Sequence, residues 1–238
     1  MSVKWNPLLT TFFVAFVMSS MLPERTGADE VDRLVSLSKS GNCMATDHVR
    51  SKARFTGREL SRALKYVEAH PDCTSYHLVF SLCEYHPREY SKIDPETRAA
   101  VLASAMVNLP MNDWGILDPV TTVDRDAAKL FLGLGSHALR QLLPILDNKS
   151  PAPCFGSEIG TDSYREQHRR CDYAYRYGML LLGQKPRFDR DIAARDKDIA
   201  SLKKRLKEHG IEPPRRPAKW MELPSRDSAI TPEEKRLQ

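Results

Sequence analysis

Apolar residues in this chain recur at spacings of three and four, and most such runs are bounded by residues that start or stop helices. Val31, Leu34 and Val35 form the first stripe, in residues 29–40, with Gly41 after it. Thr56-Gly57-Arg58-Glu59 fits a capping box and opens a run carrying Leu60, Ala63, Leu64 and Val67, which stops before Pro71. A third run, residues 74–85, ends at Pro87. Asp94-Pro95-Glu96 is an N-cap with proline at the first helical position, ahead of Val101, Leu102, Ala105, Met106 and Leu109. After a loop over 111–123, Asp124 caps Ala127, Leu130, Phe131 and Leu134, and Gly135 ends that run. Ser136 caps the next, with Leu139, Leu142, Leu143 and Leu146, where Pro144 is expected to bend the helix. Residues 147–163 read as a second loop. A helix over 164–183 then carries Cys171, Ala174, Tyr175, Gly178, Met179 and Leu182. Asp191 caps the last, with Ile192, Ile199, Leu202 and Leu206, closed by Gly210. Composition agrees: Leu plus Ala total 46 against 20 for Val plus Ile, with only 11 Gly, which disfavours a sandwich or barrel. The expected fold is all-α, either an α-α superhelix or an irregular helical bundle.

The ends of the chain read differently. Lys4 is the one charge before the apolar run LLTTFFVAFVM at residues 8–18. Eleven residues span about 16 Å as helix, roughly half a bilayer core. Thr26-Gly27-Ala28 supplies small residues before acidic Asp29-Glu30, so residues 1–28 are expected to be a signal peptide, with an uncleaved membrane anchor as the alternative. Residues 29–210 are then the helical domain. Residues 211–238 hold five of the sixteen prolines and are expected to be an extended or disordered tail. The implied location is secreted or periplasmic. Net charge is +5 with acids and bases interleaved; the most basic stretch, residues 185–208, has nine Lys/Arg against five Asp/Glu. That mixture suits a solvated helix face, and no nucleic-acid partner is expected. Export makes disulfides expected. Cys154 and Cys171 bracket a 16-residue loop whose closure would contribute about 3 kcal/mol, Cys43 with Cys73 is the second candidate pair, and Cys83, on an apolar stripe, is left as a thiol.

Residues 124–148, DRDAAKLFLGLGSHALRQLLPILDN, resemble a HEAT-like helix-pair repeat. The likeness lies in the alanines of the first helix, Leu-Gly-Ser at the turn, and Leu-x-x-Leu-Leu-Pro-x-Leu-Asp in the second. It implies a stacked helical scaffold that offers a binding surface and carries no activity. It covers about a tenth of the chain; residues 56–85 match a further unit in spacing alone.

Three groupings could carry chemistry. His70, Cys73, His77, Cys83 and His86 have metal-like spacing, but on one helix Cys73 and Cys83 lie about 15 Å apart, so no metal and no cofactor is expected. Nucleophile-elbow, P-loop and dinucleotide motifs are missing. The stretch DSYREQHRRCDYAYR at 162–176 is the most suggestive. Tyr164, Arg165, Arg169, Arg170, Asp172, Tyr173 and Arg176 could form a partner-binding face, with Asp113 and Trp114 of the preceding loop joining it. The alternative is an internal network in which Asp172 pairs with Arg169 or Arg176 and ties its helix to the loops. The function expected is that of an exported, non-catalytic helical protein binding a protein or peptide. An extracytoplasmic hydrolase or metal-dependent enzyme using Asp113, His168 and Asp172 is the second reading, and a purely structural envelope protein the third.

Overall fold

The computed structural model describes residues 29–40, 52–109, 114, 126–153, 166–215 and 217. The signal-like segment, Cys43, Asp113, the Asp124 cap, Cys154, Tyr164, Arg165 and most of the tail lie outside the described residues. Nine helices occur among those described: α1 Glu30–Ser40, α2 Gly57–Ala69, α3 Tyr76–Tyr85, α4 Pro87–Tyr90, α5 Pro95–Asn108, α6 Asp126–Leu132, α7 Ser136–Ile145, α8 Arg170–Leu181 and α9 Ile192–Glu208. A 3-10 turn at Cys73–Ser75 leads into α3. No strand is present among these residues, and the all-α class is observed. Pro151 and Arg169 form an isolated antiparallel bridge.

Local chemistry explains most of the boundaries. The Glu59 carboxylate accepts from the Thr56 amide at 2.8 Å and its hydroxyl at 2.7 Å, closing the capping box of α2. Asp94 accepts from the Thr97 amide at 3.2 Å with Pro95 at the first position of α5, and Asp191 accepts from Ala193 at 3.0 Å to open α9. Gly135, at φ +54, makes the turn between α6 and α7. One element differs at each side of the chain's middle. Pro87 both stops α3 and starts the four-residue α4. Helix α8 begins at Arg170, six residues after its expected start.

Helix α5 is the centre. Thr97 and every residue from 99 to 108 are buried, so it has no solvent face. Its small residues, Ala99, Ala100, Ala103, Ser104 and Ala105, let α3, α6, α7 and α8 approach it from several sides. Ser104 accepts from the Cys73 amide at 3.0 Å and from Asn108 Nδ2 at 3.1 Å, which satisfies polar groups that burial would otherwise penalise. Helix α1 packs on α3 and the 3-10 turn, α7 on α5 and α8, and α9 on the far side of α8. Helices α6 and α7, which carry the helix-pair resemblance, pack chiefly against α5 and α8 rather than on each other, and no repeat is identified. Trp114 is buried, edge-on to Phe131 at 5.9 Å and Tyr177 at 5.7 Å, and its carbonyl accepts from the Tyr177 hydroxyl at 2.6 Å. The described start of the tail has no regular secondary structure but is held: Pro214 is buried and the Arg215 amide donates to Glu96 Oε1 at 2.6 Å.

Candidate functional site

Of the polar residues singled out in 162–176, Arg169, Arg170 and Asp172 meet where α8 begins. Residues 148–152 run beside this end and accept or donate main-chain hydrogen bonds. Arg170 N donates to Ser150 O at 3.0 Å, Cys171 N to Asn148 O at 2.9 Å, and Ala152 N to His168 O at 2.9 Å. Asp172, three residues into the turn, reaches back to accept from the Arg169 amide at 2.9 Å. The amides that a helix leaves unpaired at its start are therefore taken by the protein itself.

Asp172 is the hub. It is 2% exposed. Arg169 contacts both carboxylate oxygens, Nη2 to Oδ1 at 2.9 Å and Nε to Oδ2 at 3.2 Å. Arg195, on α9 and 4% exposed, adds Nη1 to Oδ2 at 2.6 Å. Its Nη2 donates to the carbonyl of Glu166 at 2.8 Å. Arg169 continues outward through Nη1 to Asp196 at 2.8 Å, and Asp196 accepts from Lys149 at 2.7 Å. Burial opposes the Arg169 charge, yet its hydrogen bonds to Asp172 and Asp196 hold the guanidinium above its usual range. Lys149 first, then Arg169, hold the Asp196 carboxyl below the usual range. The chain thus runs Lys149, Asp196, Arg169, Asp172, Arg195, and it joins the 148–152 segment, α8 and α9.

His168 lies beside this network without entering it. Its ring stacks on Phe188 at 4.5 Å and meets Tyr173 edge-on at 6.2 Å. Burial pushes its pKa down to about 4, against the opposing pull of Asp172. Nδ1 is buried with no hydrogen-bond partner. Tyr173 and Arg176 are also buried, and Arg170 is half-buried with its pKa lowered by desolvation. Of the residues expected at a partner-binding face, Arg169, Asp172, Tyr173, Arg176 and Trp114 are thus buried, and Asp172 pairs with Arg169, the contact named in the internal-network alternative. Arg195 was missed. Its signal is register: Arg195, Ile199, Leu202 and Leu206 are spaced along the face of α9 that packs inward.

The cysteines and histidines occupy separate settings. Cys73, Cys83 and Cys171 are thiols, and no disulfide is seen among the described residues; the expected partners Cys43 and Cys154 lie outside them. Burial pushes the Cys73 and Cys171 thiols up to about 11, which keeps them poorly nucleophilic. His70 stacks on Tyr66 at 4.1 Å, His77 meets Tyr76 edge-on at 5.2 Å, and His86 Nε2 accepts from the Phe55 amide at 3.1 Å. Among the described residues no group of three or more His, Cys, Asp or Glu could hold a metal ion. No described helix is long and apolar enough to cross a membrane. A concave region of about 560 Å³, lined by Glu68, Lys92, Asp94, Glu96, Thr97 and Arg215, opens beside the start of α5. The sequence matches no family model, no curated protein and no solved structure.

Proposed function

We propose that the chain is an exported, non-catalytic helical protein that binds a protein or peptide partner. The observation that carries this reading is the closure of Asp172, because the side chains that most resembled catalytic machinery are spent on fastening α8 to α9. A hydrolase built on Asp172 and His168 would need the carboxylate to orient the imidazole, and two arginines already take both of its oxygens. The charged concavity is where this reading puts the contact: Glu68, Asp94 and Glu96 line it together with Lys92 and Arg215, a mixture suited to a peptide bearing both signs of charge.

The experiment pairs capture with processing. Full-length protein is expressed in its native host, and bound material from the exported fraction is compared between wild type and the double variant Lys92→Glu, Arg215→Glu. The reading expects a mature chain starting at Asp29 and at least tenfold weaker capture by the folded variant. Intact precursor confined to the cytosol, or capture unchanged by the variant, would overturn it. A purely structural role predicts no saturable partner at all, and the same assay separates the two.

A further inference from the structure

The segment between α8 and α9, residues 184–191, leaves α8 through Gly183 at φ +67 and returns along its length to cover the other end. Its single large apolar side chain, Phe188, is 38% exposed, and its neighbours hold it in place. Two contacts do so. The ring stacks on His168 at 4.5 Å, and the Arg195 guanidinium sits over it at 4.7 Å. Further along, Arg190 Nε pairs with Glu166 at 3.3 Å. At the start of the segment the Gln184 amide donates to Met179 O at 2.8 Å and Gln184 Oε1 accepts from Arg205 Nη1 at 2.9 Å, while residues 184–189 have no regular secondary structure.

His168 is 9% exposed, and its neutral ring suits the aromatic sandwich of Phe188 and Tyr173. The charged groups around it are Asp172 and Arg176 from α8, Arg195 from α9, and Glu166 from the turn before α8. An added proton would leave a buried cation whose Nδ1–H has no acceptor, because Asp172 is taken by Arg169 and Arg195. The cheapest way to hydrate that cation is to move Phe188 away. We propose that residues 184–191 form a strap, pinned at Phe188, that acid releases by charging His168. Release uncovers His168 and one side of the Arg195 guanidinium while the α8–α9 ion pairs stay in place. Burial, the largest influence on His168, places the transition near pH 4.

Nuclear magnetic resonance of the full chain tests this. Through-space contacts between the Phe188 ring and both His168 and Arg195 are followed from pH 7 to pH 3, together with the His168 titration. The contacts are expected to vanish with the same midpoint as His168 protonation, while α5 signals are unchanged. In His168→Phe, which keeps the stack but cannot charge, the Phe188–Arg195 contact should persist through that range. Loss of the contact at the same pH in His168→Phe would assign release to another group, such as the Arg190–Glu166 pair, and overturn the proposal. If His168→Phe does not fold, Phe188→Ala decides alone: the His168 pKa should rise by at least one unit toward 6.5, and an unchanged value would overturn the proposal. Loss of α5 signals over the same range would overturn it as well.

Discussion

At the scale of single residues, burial sets the behaviour of His77 and His168. His77 packs beneath α1, and burial first, then the nearby Arg33 charge, push its pKa down to about 4. The unfolded chain takes up a proton near pH 6.5, before the folded one does. Stability is therefore full above pH 6.5 and falls as the pH drops toward 4, with a loss of about 3 kcal/mol attributable to His77 at the low end. Urea denaturation between pH 7 and pH 4 should show that slope, and His77→Phe should remove most of this residue's share. A second residue-level expectation concerns the α2 cap. Thr56→Ala leaves Glu59 without the hydroxyl it accepts from and should cost about 1 kcal/mol in the same assay. Caps such as Thr56, Asp94 and Asp191 were legible in the sequence because each acts within three residues of itself. His168 was visible as a residue but not as a buried one, because its cover, Phe188, comes 20 positions later.

At the scale of elements, the pairing of α8 with α9 is the tightest approach with a testable consequence. A Cβ placed on Gly178 would lie 2.8 Å from Leu202 Cδ2. Alanine is the better helix former by about 1 kcal/mol, but Leu202 is 1% exposed and has little room to turn. Gly178→Ala is expected to lose about 1 kcal/mol net by thermal or chemical denaturation. In a Leu202→Ala background the same substitution should be neutral or stabilising, because the obstacle is gone; an equal loss in both backgrounds would refute the contact argument. The apolar stripes of α8 and α9 were readable from spacing, while the start of α8 was not. Its first amides bond to Ser150 and Asn148, some 20 residues earlier, and no local signal encodes that. Pro87 ends α3 as the sequence indicates, and the short α4 it opens was not read because a residue that ends one helix is also suited to begin another.

For the molecule as a whole, the burial of α5 on every side requires that the outer helices be fastened to one another, and the Lys149–Asp196–Arg169–Asp172–Arg195 chain does so at one end. The all-α class was legible because helical periodicity runs through nearly the whole described chain. The enclosure of α5 was only implicit, in the alanine and serine content that lets neighbours crowd it. Arg195 escaped notice because an arginine among lysines and aspartates reads as solvated until its partner is known. The account stands on Asp172 being a structural hub, and equilibrium urea unfolding of Asp172→Asn against wild type at pH 7 tests that most directly. Leaving two buried guanidinium groups short of their counter-charge should cost about 3–5 kcal/mol, with α9 losing amide protection first. A variant as stable as wild type, with α9 still protected, would contradict the account.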